Sequence, residues 1–439
     1  MTDVNLRILI ELKEFVCLVS NNAALLSVFK NTPSAFSRNR KLPFDKLVLL
    51  ILKLCKKTLS VELEQFFSEL NSSTCCSVSA FTQQRSKLDP IFFYWWNIVL
   101  WSSYYQYSKD IKRWNGYRVI AADGSNISLI KTPALENYFG GQTNQAGSFV
   151  QAKTFYYYDV LNDLILYPEI KPYRYGEMKI AYNGIENLEE DMLAIYDRNF
   201  SNYKMIALHV FQEKERKFLI RGNERQTYIK NFIASGQTSC VTHIVPTHTA
   251  IRELKKSGFI VNKNTLIKVR LVRVELKNTV EVLITNLWEE EGHDENQFKE
   301  LYFMRWGIET NISFQKNIQK LESFSGLTVE SVIQDFYATV FITNLHSLIK
   351  NSAQTTVDQK ITHRKYPMKI NGNKSYGKLK ANLISLFISN DPETILRTLH
   401  RYFIRDLLPV RKGRSFERIR KNPQFKSKHK TFNNYKPSF

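Results

Sequence analysis

The chain has 439 residues, long enough for two or three domains with their own cores. Its 43% hydrophobic and 23% charged residues are ordinary globular usage, which excludes a disordered protein. Its 62 Lys+Arg against 41 Asp+Glu leave a net charge of +21, a surplus that favours a polyanionic partner, because each cation that neutralises a phosphate releases a condensed counterion.

A ribosome-associated protein or a merely basic surface fits the same charge. No apolar stretch approaches the ~18 residues of a membrane span, and the first residues lack a basic segment followed by a long apolar run. Neither a membrane partner nor a secretory signal is therefore expected. The five cysteines (Cys17, Cys55, Cys75, Cys76, Cys240) form no CxxC pair and no Cys/His ligand spacing. They read as reduced packing residues of a cytoplasmic protein.

Residues 1–112 read as a helical domain. Phe44-Asp-Lys-Leu-Val-Leu-Leu-Ile-Leu-Lys-Leu carries too many apolar positions for a surface helix. Ser60 offers an N-cap for a helix with Leu63, Phe66, Phe67 and Leu70 at helical spacing, and Asn71-Ser-Ser-Thr interrupts it. A further helix over Ser77–Leu88 is expected to present Thr82, Gln83, Arg85 and Ser86 outward. A helix, a short polar turn and a helix rich in Gln, Arg and Ser is the pattern of a helix-turn-helix reader, with Gln83 and Arg85 as its DNA contacts. Ordinary helical hairpins share that pattern.

The character changes at Tyr117. Tyr-Arg-Val-Ile-Ala-Ala-Asp123 is a short apolar strand ending in a carboxylate, and Ser148–Val160 with Asp163–Ile170 form a hairpin turning near Leu161-Asn162. Met192-Leu-Ala-Ile-Tyr-Asp197 is a second apolar strand ending in a carboxylate, and Lys217-Phe-Leu-Ile-Arg is a third short strand. Hairpin-linked strands, a helical crossover and a further strand predict an α/β sheet of the ribonuclease-H type, with residues 113–221 as the first part of a catalytic core.

Residues 222–290, in which Leu266–Leu276 and Val280–Leu287 alternate apolar and polar positions, read as a β-rich insertion. Residues 291–350 return to the core as a helix from Asn296 past Lys316 and another over Thr328–Lys350. Residues 351–439 read as an exposed linker to 376, one helix over Leu379–Ile404 and a basic, phosphate-seeking tail after Pro409.

The segment Leu301–Lys316 is the most informative. At ~100° per residue, Tyr302, Arg305, Glu309 and Lys316 fall on one narrow face, with Phe303 and Trp306 on one flank and Leu301, Ile308 and Ile312 on the other. One carboxylate flanked by two cations and a phenol suits a metal ligand among phosphate clamps. A partly buried ion-pair network is the structural alternative.

This spacing, Y-x2-R-x3-E-x6-K, resembles the signature of the insertion-sequence-4 family of bacterial transposases. Ala122-Asp123-Gly-Ser resembles that family's first catalytic motif, Tyr196-Asp197-Arg-Asn-Phe its second, and Leu321-Glu-Ser-Phe-Ser-Gly also looks like the family. The resemblance implies a DDE transposase carrying out metal-dependent cut-and-paste transposition, through a hairpin at the transposon end. Its partners would be double-stranded DNA, both transposon ends and target, bound by a homodimer in a synaptic complex associated with a bacterial nucleoid.

Asp123, Asp197 and Glu309 are then the catalytic and metal-binding carboxylates for two Mg²⁺ ions, with Mn²⁺ able to substitute. Tyr302, Arg305, Lys316 and Arg198 become phosphate contacts, and Trp288 or Trp306 is either a base-stacking residue or core. A catalytically inactive transposase-derived DNA-binding protein and a ribonuclease-H-like nuclease without strand transfer are the competing readings.

Overall fold

Alternating apolar side chains in the middle of the chain build one ten-stranded mixed sheet. Its strands are β1 (Arg118–Ser128), β2 (Gly141–Asn144), β3 (Gly147–Asp159), β4 (Leu164–Ile165), β5 (Glu169–Pro172), β6 (Met192–Tyr196), β7 (Lys217–Arg221), β8 (Ser239–Ile244), β9 (Ile267–Glu275) and β10 (Val280–Thr285). The computed structural model describes residues 2–38, 41–53, 56–144, 147–276, 279–360 and 364–411. The main path runs β2-β3-β1-β6-β7-β10-β9-β8, with β4 and β5 also paired to β3. β1 is antiparallel to β3 and parallel to β6, and β6 is parallel to β7. The expected hairpin is present. Asp159 makes its turn by accepting the N–H groups of Leu161 and Asn162, both at 3.1 Å, and Asp163 takes the left-handed conformation at φ 57°.

The two sheet faces are read directly from alternation along the central strands. Val119, Leu193, Ile195 and Leu219 face one side, where Phe298, Leu301 and Tyr302 cover them. Ile120, Ala122, Ala194, Tyr196, Phe218 and Ile220 belong to the larger core on the other side. That larger core is continuous with the helical layer. Trp96 of the helix Ile91–Tyr107 stacks on Phe341 at 4.0 Å, and Asn344 donates to Asn97 at 2.7 Å, tying this helix to Val329–Lys360.

Several expected elements differ. The segment 222–290 does contain strands, but β10 pairs with β7, so β8, β9 and β10 lengthen the existing sheet. Along the chain the helix Thr227–Ser235 lies between β7 and β8, and His248–Lys256 between β8 and β9. No linker begins at 351: the helix Val329–Lys360 continues because Ala353 and Val357 are buried. The helix expected over 379–404 is two, Gly372–Ile388 and Pro392–Arg405, the second started by an Asp391 cap and a proline in its first turn. The basic tail lies outside the described residues from 412 onward. Cys17 and Cys75 are exposed rather than packed, and Cys55 is also outside the described residues.

Arg85 is the clearest correction. The helix Val78–Arg85 begins at Ser77, whose hydroxyl accepts from Ala80, but Arg85 stands one turn after the fully buried Phe81 and shares its inner face. Only 4% exposed, it donates to Gln334, Ser325 and Asp335 at 2.6, 2.6 and 2.7 Å. It is an internal brace and offers nothing to a base edge.

Burial would raise the Asp335 carboxyl, but the charges of Arg85 and Lys56 and hydrogen bonds from Ser325 outweigh it and hold it at about 2. Because folding lowers this pKa, its contribution is present above the ordinary value of 3.8 and is lost as pH falls toward about 2. Arg85→Ala leaves Asp335 buried and under-compensated and should cost about 3–5 kcal/mol. Urea melts at neutral pH and at pH 3 check this: the gap between wild type and variant should narrow at the lower pH.

Candidate active site

The parallel register between β1 and β6 sets the site. Their pairs run to Ala121↔Ile195, so two further extended residues on each strand bring Asp123 and Asp197 to the same level. Asp197 itself is extended, at φ −78° and ψ 177°. By alternation both carboxylates share the face of Val119 and Leu193, onto which the Phe298–Phe303 segment packs. Asp123 does not end its strand as the sequence suggested: β1 continues to Ser128, paired with β3, where Asp123 lies opposite Tyr156.

Each aspartate is oriented by a backbone amide. Asp123 Oδ1 accepts from Gly124 N, and Asp197 Oδ1 accepts from Asn199 N as the cap of a single helical turn, both at 2.8 Å. Arg198, in that turn, is exposed.

Glu309 arrives from the helix Trp306–Asn317. The single long helix expected here is instead two, because Met304 and Arg305 form a tight turn after Phe298–Phe303. Arg305 N bonds Tyr302 O at 3.1 Å, and Gly307 N bonds Met304 O at 2.9 Å, three residues back rather than four. Tyr302 nevertheless stays beside Arg305, whose guanidinium carbon lies 5.9 Å from its ring centre. Tyr302 packs with the apolar face, while Arg305, Glu309 and Lys316 follow the turn. Phe303 and Trp306 are 71% and 46% exposed, so neither is core. Trp288 is half-buried, with Lys268 Nζ 4.3 Å from its ring centre.

Arg305 is the centre of the arrangement. It is 7% exposed and spans two of the carboxylates, with Nη2 donating to Glu309 Oε1 at 2.6 Å and Nη1 lying 3.7 Å from Asp123 Oδ2. One guanidinium thus bounds how far apart Asp123 and Glu309 stand. Its Nε is buried without a hydrogen-bond partner among the described residues.

Lys316, expected to point toward a phosphate, instead ties the end of the glutamate helix to β1. It donates to Ser125 Oγ and Asn126 O, both at 2.7 Å. The Leu321–Gly326 motif continues that attachment. Glu322 accepts from Ser128 N at 2.9 Å, and Ser325 joins the Arg85–Asp335 network. Gln83 is exposed on its own helix, where it donates to Ser79. Neither Gln83 nor Arg85 joins the carboxylates.

Burial raises the Asp123 carboxyl to about 7, with the charges of Glu177 and Asp197 adding to the rise and Gly124 and Arg305 opposing it. Burial also raises Glu177, helped by Asp197 and opposed by Lys153. Glu177 was invisible to motif reading: it opens the helix Glu177–Gly184 in a stretch with no distinctive spacing. Burial pushes Tyr302 up to about 12, keeping it a neutral O–H.

Among the described residues, no three acidic, histidine or cysteine side chains stand close enough to form a ready metal cage. At this position Arg305 keeps Asp123 and Glu309 apart as the counter-charge between them.

No protein-family model matches the chain, and no curated protein matches it. Among solved structures, the cryo-electron-microscopy structure of a piggyBac transposase synaptic complex with hairpin DNA aligns with a TM-score of 0.43 and 11% identity. The alignment covers 94% of this chain and 84% of that one. At that TM-score the likeness carries no inference about this chain. No helix among the described residues is long and apolar enough to cross a membrane.

The shared field around Asp123 is measurable by carboxyl carbon NMR of aspartate-labelled protein. The wild-type midpoint should lie near 7. Arg305→Ala should raise it by removing a cation that favours the ionised form, and Glu177→Gln should lower it. Because folding raises this pKa, the associated stability is full below the ordinary value of 3.8 and is lost as pH rises through about 7.

Proposed function

We propose that this protein is a DDE-type DNA transposase of the insertion-sequence-4 kind, cutting element ends and joining them to target DNA. The observation that carries the reading is the junction of Asp123 and Asp197, on adjacent parallel strands, with Glu309 on a helix over the same face, linked to Asp123 through Arg305. The strand order β5-β3-β1-β6-β7, antiparallel on one side of β1 and parallel on the other, supports a ribonuclease-H-type core. The net charge of +21 supports a phosphate-rich partner. Double-stranded DNA is that partner, held by a homodimer that brings two element ends together.

The donor set fits hard divalent cations: all three side chains are carboxylates, and the guanidinium lodged between two of them supports a positive charge being accommodated there. Asp123, Asp197 and Glu309 would hold two Mg²⁺ ions, or Mn²⁺ in their place. Such ions activate an attacking oxygen and stabilise the leaving one.

The remaining work belongs to the chain. Arg305 has a buried Nε still to satisfy and two Nη groups on carboxylates, so turning toward a phosphate exchanges one set of charge-assisted bonds for another. Lys316 and Glu322 hold the glutamate helix on β1 and keep Glu309 in register. Arg198 is exposed beside Asp197, where a phosphate can reach it. Trp306, exposed beside Arg305, is placed to stack on an unpaired base near the cut.

Asp123→Asn, Asp197→Asn and Glu309→Gln should each lower cleavage of a DNA carrying the element's ends by at least about a hundredfold, while DNA binding is kept. Strand-transfer products joined through a free 3′-hydroxyl separate a transposase from a nuclease that only cuts. An amide variant that cleaves at the wild-type rate removes its residue from the site, and a wild type that binds ends without cutting them favours the inactive DNA-binding reading.

A further inference from the structure

At the other end of the helix that carries Glu309, a cleft of about 830 Å³ opens between that helix end and the helices Phe44–Lys53, Leu59–Glu69 and Gly372–Ile388. Five lysines line it, Lys53, Lys56, Lys57, Lys320 and Lys380, against two glutamates, Glu64 and Glu69. Lys53 and Lys380 tie the walls together. Lys53 Nζ donates to Glu69 Oε1 at 2.8 Å and to Lys380 O at 3.1 Å, and Lys380 Nζ donates to Leu52 O at 2.8 Å. Lys56 stands 4.0 Å from Asp335. The ammoniums of Lys57 and Lys320 meet no acid or carbonyl among the described residues.

Backbone geometry singles out the same cleft. Of the non-glycine residues at positive φ, Asn71, Asn115 and Asp163 are of the types that adopt it readily. Two of the remaining three are Lys56, at φ 71°, and Lys320, at φ 54°, and both line this cleft. Lys320 follows the glutamate helix where Leu321 N turns back to Gln315 O at 3.0 Å, a place usually filled by glycine. A side chain kept where the backbone disfavours one points to a use for that side chain. Gln319, beside it, is only 3% exposed and lines the same cleft. Its Oε1 accepts from Thr343 at 2.8 Å, while its Nε2 is a buried donor without a partner among the described residues. Such donors are completed by a ligand or an ordered water.

The geometry points to this cleft as a seat for backbone phosphates of DNA, a second anchor set apart from the carboxylates. Lys57 and Lys320 are its contacts, and Lys53 and Lys380 its frame. This rests on the nucleic-acid partner proposed above. Glu309 and Asn317, the last residue of its helix, are about 12 Å apart along the axis at ~1.5 Å per residue, a separation that one bound duplex spans. A phosphate held here steadies the far end of the helix whose near end carries Glu309.

The test measures binding of the full chain to a labelled duplex of arbitrary sequence over a range of salt concentrations, together with the melting temperature. Lys320→Gly and Lys57→Gln should each weaken binding severalfold and reduce the slope of log affinity against log salt by about 0.9, the loss of one phosphate contact. Lys320→Gly should melt at or above the wild-type temperature, because glycine takes a left-handed φ without penalty. Its weaker binding is then not a consequence of unfolding. Wild-type affinity and slope in both variants overturn the proposal and leave DNA standing as the partner. A Lys320→Gly protein that melts lower yet binds normally also overturns it, since the lysine then serves only its helix end. A wild type that binds no duplex removes the nucleic-acid partner itself, and this role of the cleft with it. Calorimetry with inorganic pyrophosphate supplies the last arm. Pyrophosphate binding lost in the variants while duplex affinity is kept assigns the cleft to a free phosphate ligand and overturns the DNA assignment.

Discussion

The parallel pairing of β1 with β6 places two acidic side chains, Asp123 and Asp197, at the same level of neighbouring strands. Residues Val119–Ala122 and Met192–Tyr196 are buried without exception, so hydrophobic burial, at roughly 25 cal/mol per Å², fixes the two strands and their register. Asp123 and Asp197 are the residues that emerge at the same level just past that apolar run. Strands in a sheet lie about 4.8 Å apart, and burial, with the charges of Glu177 and Asp197 adding to it, pushes Asp123 to about 7. The fold holds this congestion in place by satisfying the cores on both sides of the sheet.

Arg305 answers that congestion in the protein alone. Its guanidinium offers five donors in a fixed fork, of which Nη2 serves Glu309 and Nη1 faces Asp123, while Nε has no partner among the described residues. A buried ion pair of this kind is not a strong source of stability. Its use is positional, since it keeps Glu309 facing the aspartates and leaves one donor unspent for a ligand. Lys316 and Glu322 fix the same helix to β1, and Ser325 carries the connection on to Arg85 and Asp335. The glutamate helix is therefore tied at one end to the sheet and through its following loop to the helical layer.

Much of this was legible in the sequence because the decisive signals are local. Two apolar runs ending in aspartate, a hairpin marked by Leu161-Asn162, and a helix carrying Arg305, Glu309 and Lys316 are all periodicity and spacing. What escaped depends on tertiary partners. Arg85 reads as an outward-facing residue until Asp335 and Gln334 claim it, and its place one turn after Phe81 was the available clue. The break at Met304–Arg305 has no proline or glycine to announce it. The segment from 351 looks like a linker by composition, yet Ala353 and Val357 find a core and the helix continues. Glu177 is an ordinary helix-opening acid whose place against Gly124 only the fold reveals. Lys316 kept its predicted side of the helix but spends its ammonium on Ser125 and Asn126 rather than on an open groove.

The most direct measurement is anomalous scattering from Mn²⁺ in crystals of the full chain grown with a DNA duplex carrying an element end. The account predicts Mn²⁺ peaks bounded by Asp123, Asp197 and Glu309, with Arg305 withdrawn from at least one of its two carboxylates and turned to a DNA phosphate. DNA bound across this face with no Mn²⁺ peak among these residues, and Arg305 still bridging Glu309 and Asp123, would contradict it.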